Sequence, residues 1–151
     1  MLPRQDIRDV AQVVQAQLNR AGFKAELKNQ ELGQFIQDWR NSNFDAFAST
    51  NAGSPDPDDY FYRTFRTGGS TNVFKYANPE LDKLLDTARA TLDAGQRRGM
   101  YAEVQKILAC RGPVAHLTYG QLFTATRANV QGYQIMPNRS LSYLRETSLS
   151  Q

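Results

Sequence analysis

Residues 23–49, FKAELKNQELGQFIQDWRNSNFDAFAS, carry two periodicities in succession. Phe23, Ala25 and Leu27 alternate with Lys24, Glu26 and Lys28, the period-2 pattern of a strand with one buried face. Leu32, Phe35, Ile36 and Trp39 then recur at helical spacing, and the apolar run Phe44 to Ala48 follows. Strand, short helix and strand in so few residues predict a right-handed βαβ crossover, with the two strands parallel in one sheet. The predicted fold class is α/β, a mostly parallel sheet flanked by helices.

Upstream, Ile7, Val10, Val13, Val14 and Leu18 predict an amphipathic helix over 6–21, and Gly22 stands where a left-handed residue closes such a helix. Downstream, NAGSPDPDD at 51–59 combines Gly, Ser, Pro and Asp and cannot continue a strand. It reads as a loop at the carboxyl end of a parallel strand, where ligands sit in open α/β sheets. Residues 58–65 read as a short aromatic helix and 66–71 as a glycine-rich turn. Asn78 caps a helix that opens with Pro79 and Glu80 and buries Leu81, Leu84, Leu85, Ala88 and Leu92. Its partner, 94–109, buries Met100, Tyr101, Val104, Ile107 and Leu108 and stops at Gly112 and Pro113; Val114 to Tyr119 reads as a further strand. Beyond Tyr119, the apolar residues Phe123, Val130, Tyr133, Ile135, Leu141, Tyr143 and Leu144 lack sustained periodicity. They predict short strands and extended chain, with some side chains seeking a partner surface.

At 151 residues, 40% hydrophobic and 11% aromatic, the chain has the size and composition of one globular domain. Eighteen Lys and Arg stand among 15 Asp and Glu, for a net +3, and they form no basic stripe, which argues against nucleic acid. No apolar run approaches the ~20 residues that span a bilayer, and the opening MLPRQDIRDVAQ lacks the basic-then-apolar pattern of an export signal. The single cysteine, Cys110, excludes an intrachain disulfide and has no motif around it.

Catalysis finds no support. There is no Gly-x-Ser-x-Gly elbow, phosphate loop, His/Cys pair or dinucleotide-binding glycine fingerprint, and no cofactor or metal is expected. Asp56, Asp58 and Asp59 are closely spaced, but the prolines between them suit turns and helix caps better than calcium. His116 lies in an apolar run and reads as a core histidine; Tyr60, Phe61, Tyr62, Phe65 and Trp39 read as core. Arg97, Arg98 and Lys106 read as a solvated helix face.

Read in order, QAQLNRAGF into KAEL, FDAFASTNAGSPDP, NVFKYANPELDKLLDTARATLD, QRRGMYAEVQKILA, GPVAHLTY and ANVQGY resemble the carboxyl-terminal part of the family 5 extracellular solute-binding proteins, the peptide- and nickel-type components of ABC importers. The resemblance runs from about Val10 to Tyr133 and is most specific at Asp56-Pro57, Asn72 with Tyr76, Asn78-Pro79 with Asp82, and the helix end Gln105 to Leu108. It implies one lobe of a type II periplasmic-binding-protein-like fold, of the kind that closes on a solute by hinge motion. Residues 1–120 would form the α/β ligand-binding lobe, and 121–151 a return segment packing on an amino-terminal lobe. Members of the family are several times longer, so Met1-Leu2-Pro3 is expected to mark a truncation and the sheet to lack a neighbour on one edge, which invites homodimerisation.

The implied site is a half-cleft made by the loops 50–59 and 66–72, with Thr50, Asn51, Gly53, Ser54, Asp56 and Asn72 as ligand-binding candidates. Peptide-binding members carry a tryptophan and an aspartate where this chain has Thr50 and Gly53, so Asn51, Ser54 and Asn72 would hydrogen-bond a neutral solute instead. The implied partners are a small-molecule or peptide solute and an ABC importer permease, and the implied location is periplasmic or extracellular. The expected role is non-catalytic solute binding, weak or absent when the lobe stands alone. The alternatives are an excised or engineered self-associating fragment and a sensor domain of a bacterial regulator.

Overall fold

The computed structural model describes residues 4–51, 55–121, 123–136 and 140–150. Helix α1 (Gln5–Arg20) ends as the periodicity predicts. Gly22 adopts φ +94°, the Gly22 N–H reaches the Asn19 carbonyl and the Phe23 N–H reaches that of Leu18. Helix α2 (Leu32–Arg40) turns Phe35 inward, edge-on to Phe47. Phe47 meets Phe44 at 4.8 Å and stacks on Phe74 at 5.6 Å, so aromatic packing ties the segment after α2 to the chain ahead of α4.

The main core lies among α3 (Pro57–Phe65), α4 (Pro79–Ala90) and α5 (Ala94–Arg111). Leu81, Leu85 and Ala88, spaced by four and three, form one stripe of α4 and are fully buried against Phe65, Tyr101, Val104 and Leu108. Helices α4 and α5 form an antiparallel hairpin, and Arg111 near the end of α5 reaches Glu80 at the start of α4. Each of the three helices is started by a side-chain cap: Asp56 accepts from the Asp58 N–H, Asn78 from those of Glu80 and Leu81, and Asp93 from that of Gln96. Pro57 and Pro79 occupy first-turn positions, where a missing N–H costs nothing.

Several expectations are corrected. The parallel sheet does not form among the described residues: Phe23 to Leu27, Phe44 to Ala48 and Val114 to Tyr119 carry no regular secondary structure. The sheet that is present pairs β1 (Val130–Gln131) antiparallel with β2 (Ser148–Leu149), with a 3-10 helix at Ser142–Glu146 between them. The physical reason is that alternation specifies which face of a strand is apolar and supplies no neighbour to complete the hydrogen-bond ladder. Around Ala25, helix α1 satisfies the backbone instead: the Ala25 N–H donates to Asn19 Oδ1, and its carbonyl accepts from Gln15. His116 is exposed and stacks on Tyr119, because the segment that was to bury it has no sheet to join. Leu92, expected in the core, is 99% exposed, since α4 stops at Ala90 and Thr91 turns the chain before another helical position is reached. On α1, Ile7 and Ala11 are buried, whereas Val13 and Leu18 are exposed.

Candidate functional site

The loop ahead of α3 and the turn after it flank one helix and face the same two-helix hairpin. On the first loop, Thr50 and Asn51 are exposed; Gly53 and Ser54 lie outside the described residues. Burial pushes the Tyr60 phenol above its ordinary range, partly offset by the neighbouring Asn51 side chain.

Asp56 is taken up twice. One carboxylate oxygen accepts the Asp58 N–H at 2.8 Å and also pairs with Arg97 Nη2 of α5 at 2.6 Å. The Arg97 bond, then the backbone bond, hold this carboxyl below the usual carboxylate range. Asp58 receives Arg89 of α4 at 2.7 Å and the Tyr101 hydroxyl at 3.3 Å. The capping and turn reading of these aspartates agrees with the geometry. Arg97, expected on a solvated face, is drawn instead onto Asp56 and the Ala88 carbonyl.

The second loop, 66–72, folds back over the end of α3. Thr71 bonds the Arg63 carbonyl through both its N–H and its hydroxyl. At Gly69 the chains approach so closely that an added Cβ would lie 2.4 Å from the Arg63 oxygen, which is why glycine stands there. The Asn72 amide closes the loop from inside: Nδ2 donates to the carbonyls of Arg66 and Tyr76, and Oδ1 accepts the Tyr76 N–H. Both amide hydrogens are consumed by the loop itself, which makes Asn72 a loop-closing residue first.

Of the predicted site residues, the structure thus brings Asn51 and Asp56 to the start of α3 and Asn72 to its far end. Two cavities lie elsewhere on the surface, the second next to the end of the 66–72 loop. One, of about 240 Å³, is lined by Leu84, Thr87 and Ile107 between α4 and α5, and the other, of about 320 Å³, by Ser42, Phe44, Val73 and Lys75. Ligand pockets usually run from ~300 to 1,000 Å³ and enclose most of the solute. The first lies below that range and the second at its lower edge. Sequence reasoning missed Tyr60, Arg89 and Arg97 as residues of this region, because nothing in local spacing pairs residue 97 with 56 or 89 with 58.

Comparison with known proteins shows what the chain is similar to. Residues 3–72 match the model of the bacterial extracellular solute-binding proteins, family 5 middle. Over 134 residues the chain is 36% identical to a probable di/tripeptide-binding protein 5 of Pseudomonas aeruginosa, covering 84% of this chain and 25% of that protein. Among solved structures it is similar to the oligopeptide-binding protein AppA of Bacillus subtilis in complex with a nonapeptide, with TM-score 0.73, 24% identity, and coverage of 96% of this chain and 29% of that one. It is also similar to the periplasmic murein tripeptide-binding protein MppA in its unliganded open form, with TM-score 0.70, 24% identity, and coverage of 97% and 28%. The fold is similar to that of these two peptide-binding proteins, and the chain spans about a quarter of the length of the curated relatives it matches. All three are peptide-binding proteins by name.

Proposed function

We propose that this chain forms one wall of a solute-binding cleft in an extracytoplasmic solute-binding protein that serves an ABC importer, and that it acts by passive capture. The observation that carries this reading is the agreement of sequence and fold with peptide-binding proteins across the segment that holds the loop ahead of α3. A periplasmic or extracellular location and docking on an importer permease follow from the same likeness. Residues 121–151 would serve as the return segment toward a second lobe.

The solute end that faces this wall is neutral. Gly53 stands where the resemblance expects an aspartate, and the two carboxylates beside it are already engaged, Asp56 by Arg97 and Asp58 by Arg89. An ammonium placed here would be desolvated without a counter-charge. Thr50 and Asn51 offer polar groups that suit an amide or hydroxyl instead.

Titration calorimetry with dialanine and with N-acetyl-dialanine tests this. Equal and weak affinities, with Kd above about 1 μM, are expected, since an open wall recovers only part of the buried area that tight binding needs. A tenfold preference for the free ammonium would overturn the neutral end, and submicromolar affinity would overturn the need for an opposing surface.

A second reading, self-association, is favoured by Leu117, Tyr119 and Phe123, which are 54, 89 and 81% exposed on a segment without a ladder partner.

A further inference from the structure

Helix α4 carries two stripes side by side. Leu81, Leu85 and Ala88 are fully buried, and the residue that follows each of them, Asp82, Asp86 and Arg89, bonds to a loop or helix start outside α4. Asp82 Oδ1 accepts the Thr67 N–H at 2.8 Å. Asp86 receives Arg66 through two parallel bonds, at 2.9 and 3.1 Å, and the Arg66 guanidinium also donates to the Thr67 carbonyl. Arg89 grips Asp58 with its fork, and its guanidinium carbon lies 3.2 Å from the centre of the Tyr62 ring. Tyr62 is half-buried on α3 between Arg89 and the more distant Arg66, 5.3 Å from its centre.

We propose that Asp82, Asp86 and Arg89 on one stripe of α4 are positioning residues that hold the two loops bordering the solute site, at Asp56–Asp58 and at Arg66–Thr67, in fixed relation to each other. This rests on reading those loops as the wall of the site. A single surface ion pair contributes little, so placement matters more than number. The anchors are rooted beside the most deeply buried residues of the core, spaced by four and three along one face, and they reach both ends of α3. Forked arginine–carboxylate bonds also fix orientation as well as distance.

Residue-resolved amide hydrogen exchange of the unliganded chain tests the proposal. In Asp82→Ala, exchange of the Thr67 N–H is expected to accelerate by about tenfold, the worth of one charge-assisted hydrogen bond, with Val104 and Leu108 unchanged. Asp82→Asn keeps an acceptor oxygen and is expected to restore protection of Thr67. Should Asp82→Ala not fold, Arg89→Ala read at the Asp58 N–H serves in its place, with acceleration at Asp58 alone expected. Unchanged exchange at the loop amide, a failure of Asp82→Asn to restore it, or equal acceleration at Val104 and Leu108 would overturn the positioning role. Submicromolar affinity for dialanine, with a tenfold preference over N-acetyl-dialanine, beside the expected exchange pattern would overturn the solute reading and leave the positioning role standing.

Discussion

At the scale of single residues, capping and ion pairing do most of the local specification. Asn78 satisfies two orphan N–H groups at the start of α4, so Asn78→Ala is expected to lower stability by about 1 kcal/mol, read as a shift in the urea midpoint at unchanged slope. Asp56 and Asp86 have carboxyls held below their ordinary range, chiefly by Arg97 and by Arg66. A depressed folded-state pKa contributes stability that is complete above the unfolded value of about 4 and disappears as pH falls through the lower folded value. Thermal melts between neutral pH and pH 3 should therefore show a loss in the acid limb, and Asp56→Asn should flatten part of it. An identical pH profile in the variant would show that the Arg97 pair is absent in solution.

At the scale of elements, the α4–α5 hairpin with α3 is the stable unit, and its boundaries follow from caps and from the leucine spacing. Leu85 has no exposed surface and packs where three helices meet, so Leu85→Ala is expected to cost about 2–5 kcal/mol in chemical denaturation. Leu92 differs from it by two helical turns of sequence and is 99% exposed, so Leu92→Ala should stay within about 0.5 kcal/mol of the parent. The contrast checks the end of α4 at Ala90 directly: a large effect at Leu92 would place it in the core that the sequence periodicity suggested. Helix α1 stands apart from this unit, because only Ile7 and Ala11 of its apolar face are buried. Its amides should exchange faster than those of α5 if packing governs local stability.

At the scale of the whole molecule, apolar surface outside the helical core sets the behaviour in solution. Phe23, Leu117, Tyr119 and Phe123 remain largely exposed, on segments that carry strand-like alternation or apolar runs but no ladder. Sedimentation across a range of concentrations is expected to give a mass that rises toward a dimer, and Tyr119→Lys with Phe123→Lys to move the equilibrium back toward monomer. A mass that stays monomeric at every concentration would remove the self-association reading.

Five helices, the Asn78 cap and the glycine closures at residues 22 and 112 were legible in the residues, because each depends on side chains within a few positions of one another, whereas the Asp93 cap was not read. The loop ahead of α3 and the turn after it were legible for the same reason, and so was the capping role of Asp56. The sheet was not. Alternation at Phe23, Ala25 and Leu27 names an apolar face, but a strand exists only once a partner completes its hydrogen bonds, and that is a long-range fact. The same limit applies to the site: Arg97 reaches Asp56 across 41 positions and Arg89 reaches Asp58 across 31, so tertiary packing, not spacing, pairs these two carboxylates with arginines.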